Sequence, residues 1–353
     1  MAPLSFNLPP QSLCILRLSA IGDVTHMLPV IATLQSQWPD TRISWIIGTV
    51  EYQLVKSLPG IEFIVFNKNK GLSEYRALRK KLSGRRFDVL LMMQVAMRAN
   101  LLSLLIKADI KIGFDKARAR DFHGLFCDEQ IEGAQRVHVL DTFFQFLEKL
   151  GITQRSMNWL LKSSLAEQDY AQSLIGQQPC VIINPCSSAR NNNWRNWPES
   201  NYAEVIDYLI QNKVQVILTG GPAEQEQQFS QRILDMCHLQ PLNLVAKTSL
   251  GQLLALLEQA SCLIAPDTGP AHMGTVAGIP VIGLYASSNP LRTGPYNSQS
   301  SLINAYPQAL KKYSHKTVDA ARWGERVRAP DVMELISVAD VITRLKQCLP
   351  FNN

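Results

Sequence analysis

The sequence predicts two α/β units, each built on a parallel sheet covered by helices on both faces. Three observations lead there. Apolar runs of strand length alternate with longer runs of helix length, as in strand–helix–strand crossovers. The alternation breaks at a polar stretch, Lys162–Gln178, and then restarts. Each half also opens the same way, with a strand, a polar turn-rich loop and a helix. A chain of 353 residues suits two domains. Ligands of such sheets bind at the carboxyl ends of the strands, so two units of this kind imply a cleft between facing sheets.

In the first half Leu13–Leu18 is a buried-strand run, Ser19–Asp23 a turn, and Val24–Gln37 a helix ending at Trp38-Pro39-Asp40. Strands follow at Ile43–Ile47, Glu62–Phe66, Asp88–Met93 and Ile110–Ile112. Helices are predicted after Glu51, over the basic Leu72–Leu82, over Leu101–Ile106, and over the amphipathic Val137–Leu150. In the second half Cys180–Asn184 is a strand leading into a polar loop that runs to Pro198. Helix Tyr202–Gln211, strand Val214–Thr219, turn Gly220-Gly221-Pro222 and helix Ala223–Met236 come next. Ser249 suits the cap of a helix over Leu250–Gln259. Strand Cys262–Ala265, loop Pro266–Ala271, helix His272–Ala277, strand Pro280–Leu284 and a closing helix Val332–Cys348 complete the reading. The domains are drawn at residues 1–165 and 175–330, with 331–353 as a terminal helix.

A hydrophobic fraction of 46% with 18% charged residues excludes disorder, collagen-like repeats and coiled coil for the whole chain. The seven cysteines are scattered without CxxC spacing, which fits a reducing compartment and no zinc site. Cys14, Cys180 and Cys262 lie in apolar runs and read as small buried hydrophobes. The N-terminal pattern is not that of a signal peptide, and no run of about 18 apolar residues could span a membrane. A cytoplasmic protein is expected. The net charge of +6 is unevenly placed: residues 1–160 hold 20 Lys and Arg against 14 Asp and Glu, whereas residues 161–353 hold 15 of each. The first half should therefore attract an anionic partner. No nucleic-acid-binding module is visible, and aromatics do not interleave with the basic residues.

Four constellations carry candidate chemistry. Ser19-Ala20-Ile21-Gly22-Asp23 joins the first strand to the first helix. It has too few glycines for a dinucleotide fingerprint. Asp23 reads either as an N-cap or as a general base, its ionised form favoured by the helix N-terminus. Asp267-Thr268-Gly269-Pro270-Ala271-His272 reads either as a capped turn or as a phosphate site, built from helix amides and the Thr268 hydroxyl. The loop after Asn184 carries Ser187, Ser188, Arg190 and Arg195, and reads either as solvated loop or as a diphosphate holder. Arg76–Arg86 reads as a solvated basic helix face. Arg98, Arg118 and Arg120 follow predicted strands and should sit nearer a ligand.

Two segments resemble a known family. CILRLSAIGDVTHMLPVIATL resembles the start of ADP-heptose:lipopolysaccharide heptosyltransferases, and LVAKTSLGQLLALLEQASCLIAPDTGPAHMGTVAGIPVIGLYASSNPLRTGPY resembles their second half. The resemblance covers nearly the whole chain. It implies the GT-B architecture, with the sugar nucleotide held mainly by the second domain. It also implies inverting, metal-independent transfer of heptose from ADP-heptose, with no cofactor beyond that donor. The acceptor would be Kdo–lipid A or a heptosylated inner core, with the basic first half leaning toward the first addition, onto Kdo. The terminal helix is expected to return to the first domain.

Inverting transfer needs one carboxylate to take the acceptor proton, and Asp23 is placed for that. Ser187, Ser188, Arg195 and Asp267–His272 are expected to bind the donor, and Ser19, Arg98, Arg118 and Arg120 the acceptor; of these, Arg98 and Arg120 resemble family positions that meet the acceptor's phosphates and carboxylates. Arg195-Asn196-Trp197-Pro198 stands where the family often has Lys-x-Trp-Pro, which keeps the charge and changes the geometry. Loose contact with the anionic face of the inner membrane is expected from the charge. Two other classes remain open here: a sugar-nucleotide epimerase on the same architecture, and a non-catalytic sugar-nucleotide-binding protein.

Overall fold

The computed structural model describes residues 8–187 and 193–349, and the chain divides into two units, Met1–Leu161 and Lys162–Asn353. The first contains β1 (Ser12–Leu16), α1 (Ile21–Gln37), β2 (Arg42–Gly48), α2 (Thr49–Val55), β3 (Ile61–Phe66), α3 (Leu72–Lys81), β4 (Phe87–Met92), α4 (Met97–Ser103), β5 (Ala108–Gly113), β6 (Glu129–Gln130) and α5 (Val139–Lys149). The strands pair in parallel in the order β3-β2-β1-β4-β5-β6. β1 is central, and Leu13, Cys14, Ile15 and Leu16 are fully buried. A strand apolar on both faces can be satisfied only where helices cover both sides. Each such aliphatic side chain contributes about 1.5–3 kcal/mol. Part of that cover is α5, which packs on α1 and buries Phe143, Phe144 and Phe146.

The second unit contains α6 (Leu165–Leu174), β7 (Cys180–Ile183), α7 (Glu199–Gln211), β8 (Gln215–Leu218), α8 (Glu224–Met236), β9 (Leu242–Asn243), α9 (Leu250–Gln259), β10 (Cys262–Pro266), α10 (Gly269–Ala277), β11 (Val281–Tyr285), α11 (Pro290–Thr293), β12 (Ile303–Asn304), α12 (Tyr306–Ala309) and α13 (Val338–Cys348). Its parallel sheet runs β12-β11-β10-β7-β8-β9. Numbered from the start of each unit, the two sheets have one strand order, that of the doubly wound dinucleotide-binding folds. The direction of winding reverses between β1 and β4 in the first sheet and between β7 and β10 in the second. In such folds ligands bind outside the carboxyl ends of those two strands.

Several boundaries differ from expectation. α1 begins at Ile21 because extended Ala20 is the N-cap and the Asp23 carboxylate accepts the Ala20 N–H at 3.4 Å. Asp23 therefore lies inside the first turn, not at the cap. α4 begins at Met97, four residues before the predicted start, because Asp121 accepts the Met97 N–H at 3.0 Å.

The polar stretch read as a linker contains α6. Ser164 and Glu167 close its first turn reciprocally, and it packs on α9. The boundary accordingly falls at Leu161, not beyond residue 165. Finally, Val332–Cys348 is not one helix. A tighter turn spans Val332–Leu335, and Ser337 then caps α13. α13 packs on α7 and β11, with Val341 and Leu345 in the core of the second unit.

The scattered cysteines are all free, and Cys14, Cys180, Cys186 and Cys262 are buried. Burial pushes the Cys180 thiol up to about 12, so it behaves as a small hydrophobe. Trp197 is fully buried, meets Tyr202 edge-on at 5.1 Å, and donates its indole N–H to the Ile336 carbonyl at 2.9 Å. It thereby ties the loop before α7 to the segment before α13. Trp197→Phe keeps most of the ring but leaves that carbonyl unpaired. Urea unfolding should show a loss of about 1–3 kcal/mol; an unchanged midpoint would remove this bond from the account.

Candidate active site

In the first unit the β1–β4 switch point is built around Arg17, the residue after β1. Arg17 is almost fully buried, and its guanidinium lies 5.1 Å from the centre of the Phe143 ring. One of its nitrogens donates to the Met93 carbonyl at the end of β4, and another pairs with the Asp23 carboxylate. A buried cation needs such partners, because its desolvation is otherwise uncompensated. Asp23 is thus held from two sides, by Arg17 and by the Ala20 amide. Its side chain is still 32% exposed, so one oxygen edge remains open to a ligand hydroxyl.

Beside it, Gln94 accepts the Leu18 N–H at 2.7 Å and donates to the Ser19 hydroxyl at 3.3 Å. β2 ends against the same point, where the Gly48 N–H donates to the Leu18 carbonyl at 3.0 Å. A Cβ at Gly48 would stand 2.5 Å from both that carbonyl and Glu51 Oε2, so only glycine fits. Burial raises the Glu51 carboxyl above its usual range, against the opposing influence of a backbone amide, Lys68 and Arg17.

The predicted acceptor arginines separate. Arg98 on α4 and Arg120 are exposed and form no ion pair among the described residues. Arg118 is half-buried and already engaged within the first unit. Its guanidinium pairs with Asp115 and reaches Gln145 and, at 3.4 Å, the Thr142 hydroxyl of α5. It braces the loop after β5 against α5 and does not present an open cation.

In the second unit the β7–β10 switch point gathers the predicted donor residues. Asn184, just after β7, donates to the Thr219 carbonyl at 3.2 Å and so fixes the ends of β7 and β8 together. The Ser187 N–H donates to Asn196 Oδ1 at 3.0 Å, and its hydroxyl to Asn193 Oδ1 at 2.7 Å. Ser188, with Arg190, lies outside the described residues. Arg195 Nη1 donates to the Asp267 carbonyl at 2.8 Å and to its carboxylate at 3.3 Å. The two loops singled out in the sequence therefore meet.

Thr268 is the extended N-cap of α10, and its side chain makes no capping bond. Gly269, Pro270 and Ala271 form the first turn, which the sequence had placed in a loop. Amides at this point have no carbonyl within the helix to serve, and Pro270 contributes none. Ala271 and His272 are buried.

Arg326 escaped the sequence reading. Its Nη2 approaches the Asp267 carboxylate at 3.9 Å. Burial lowers the pKa of its guanidinium, Asp267 opposes this, and Arg195, Arg292 and Arg328 add like-charge repulsion. Arg292 stands over Gly324, whose Cβ would lie 3.5 Å from Arg292 Nε. Two arginines, Arg195 and Arg326, thus flank one carboxylate that is only 9% exposed. The excess positive charge at the start of α10 is what an anion such as a diphosphate requires. Arg17 had left a trace in the sequence, as the single charge in the run LCILRL. Arg326 sits in a segment without periodicity and left none.

Residues 75–321 match the family described as glycosyltransferase family 9 (heptosyltransferase). The lipopolysaccharide core heptosyltransferase OpsX of Haemophilus influenzae is 38% identical over 343 residues, covering 97% of this chain and 98% of that protein. The glycosyl transferase family 9 structure from Veillonella parvula aligns over 96% of this chain and 97% of its own, with a TM-score of 0.77 and 22% identity. The Escherichia coli heptosyltransferase WaaC with ADP aligns over 96% and 100%, with a TM-score of 0.72 and 18% identity. The fold is therefore that of the GT-B heptosyltransferases, and the extent of the sequence match decides the rest: the chain belongs to glycosyltransferase family 9, the heptosyltransferases.

Proposed function

We propose that this enzyme transfers heptose from ADP-heptose to the anionic inner core of lipopolysaccharide, with inversion at the anomeric carbon and without a metal. The observation that carries the reading is the pairing of unlike sites at equivalent places in two equivalent sheets. One presents a held carboxylate, and the other presents surplus cations. A full-length relative named as a lipopolysaccharide core heptosyltransferase and a structure of the same fold with ADP support it. The acceptor is read as Kdo-bearing from the surplus cations of residues 1–160, with Arg98 and Arg120 as its contacts.

The chemistry follows from the residues. The acceptor hydroxyl gives its proton to Asp23 as its oxygen bonds to the anomeric carbon. The bond from that carbon to the diphosphate oxygen breaks, and ADP leaves with the electron pair. Arg17 holds the base in place. Arg195, Arg326, Thr268 and the first amides of α10 receive the charge growing on the diphosphate. One preorganised donor of this kind is worth about 3–4 kcal/mol in the transition state. A displacement with one carboxylate and a good leaving group needs no second acid.

Incubation with ADP-heptose should release ADP only when the acceptor is present, and chelator should not abolish release. Heptose isomerisation without acceptor would indicate an epimerase instead, and ADP-heptose binding without turnover a binding protein.

Asp23→Asn should lower kcat by about 10²–10⁴ while leaving ADP affinity unchanged. Turnover close to wild type would reduce Asp23 to a part of the first turn of α1.

Arg195→Ala and Arg326→Ala should each weaken ADP binding about tenfold to a hundredfold, with a smaller effect on AMP. Thr268→Ala should weaken it less. Calorimetric titration reads all three; equal ADP affinity in both arginine variants would remove the cluster from the donor site.

A further inference from the structure

Between α12 and α13 runs a segment that the proposed transfer chemistry uses at one residue, Arg326. Around that residue burial alternates. Val327 and Ala329 lie in the core of the second unit, whereas Arg326 and Arg328 are exposed. A period of two is that of a chain laid out along a core, with successive side chains facing opposite ways. Arg326 therefore faces away from the core, and its Nη2 approaches the Asp267 carboxylate at 3.9 Å.

The backbone on both sides of Arg326 is held by buried hydroxyl-bearing residues. On one side stands Ser287, two residues beyond β11 and only 2% exposed. Its carbonyl accepts the Val327 N–H at 2.9 Å, and its hydroxyl donates to the Val327 carbonyl at 2.8 Å. On the other side stands Tyr306, the first residue of α12, which is 1% exposed. Its hydroxyl donates to the Glu325 carbonyl at 2.9 Å, and its own N–H donates to Asn304 Oδ1 at 3.2 Å. The Glu325 carbonyl and the Val327 N–H belong to the two peptide bonds of Arg326. Both of those bonds are thus fixed from the core side, and only the side-chain torsions of Arg326 stay free.

The charges explain why such a hold is needed. Burial disfavours the charged form of Arg326, Asp267 opposes this, and Arg195, Arg292 and Arg328 repel it. Asp267 is itself shared with Arg195. The acids nearest in sequence are already engaged. Glu325 pairs with Lys316 at 2.8 Å and accepts the Arg322 N–H at 3.1 Å, and Asp331 pairs with Lys312 at 3.1 Å. A long cationic side chain in such a place gains by moving out to water. Anchoring its backbone limits that movement.

We propose that Ser287 and Tyr306 are positioning residues of the donor site, clamping both peptide bonds of Arg326 so that its guanidinium stands beside Asp267 before the diphosphate arrives. A cation placed in advance need not be ordered when the anion binds, which raises affinity without a new contact. The inference rests on the proposed function, which puts the diphosphate at Arg326, and adds two residues that act through it.

Calorimetric titration of the full chain with ADP and with AMP tests the clamp as a double-mutant cycle. Ser287→Ala and Tyr306→Phe should each weaken ADP binding by about threefold to tenfold, and AMP binding by less than about twofold. In an Arg326→Ala background neither should weaken ADP binding further. Thermal unfolding confirms that each variant is folded at the titration temperature; should Ser287→Ala unfold, Tyr306→Phe, which removes one oxygen atom, carries the cycle alone. A loss of general packing would weaken both nucleotides alike and would persist without Arg326. Equal losses for ADP and AMP, losses that add to that of Arg326→Ala, or wild-type ADP affinity in both anchor variants overturn the inference. So does an Arg326→Ala variant that binds ADP as wild type does. Coupling found in an enzyme that transfers no heptose would uphold the clamp and defeat the functional reading, and heptose transfer with additive losses would do the reverse.

Discussion

Parallel strand pairing is the constraint from which the rest of the molecule follows. β1 and β7 are apolar on both faces, so each must lie at the centre of its sheet with helices above and below. Parallel neighbours then require crossover helices, and every loop that follows a strand emerges at one edge. With the shared strand order, the edge opens at one place in each sheet, where winding reverses. The polar residues that no core can accommodate collect there: Arg17, Asp23 and Gln94 in the first unit, and Asn184, Arg195 and Asp267 in the second.

The two switch points solve different electrostatic problems. In the first, one buried guanidinium meets one carboxylate, and the Met93 carbonyl takes up a further donor. The site is balanced, and the carboxylate keeps an open edge, which suits a group that accepts a proton from a ligand. In the second, Asp267 stands between Arg195 and Arg326, and Arg292 and Arg328 add positive charge around Arg326. That site carries more positive charge than it can neutralise, which suits a group that receives an anion. Burial strengthens both effects, because charges near a low-dielectric wall are poorly screened. The same sheet topology thus yields a site for a proton and a site for an anion, according to which charges follow the strands.

The strands and the two candidate loops were legible because their signals are local. LCILRL and CLIAP are short apolar runs, and Asp23 and the segment from Asp267 to Gly269 follow them at once. Helix starts were less legible, since they depend on partners. Asp23 closes α1 from within its first turn, and Asp121, distant in sequence, sets the start of α4. α6 was missed because its face is mostly polar and its main packing partner, α9, is distant in sequence. The contacts of Arg118 with Asp115, Thr142 and Gln145 were not legible, because no spacing reveals them. Arg326 reaches Asp267 across about 60 residues of chain, beyond any local pattern. The resemblance to heptosyltransferases supplied the chemistry of the donor, and the geometry supplied Arg17 as the residue that holds the base.

The proposed catalysis rests on a single carboxylate promoting direct displacement at the anomeric carbon. The anomeric configuration of heptose in the product, read by nuclear magnetic resonance and compared with that in ADP-heptose, tests this most directly. One displacement at one carboxylate predicts inversion. Retained configuration would require a second displacement and a nucleophile that Asp23, paired with Arg17, was not assigned to be, and would contradict the account.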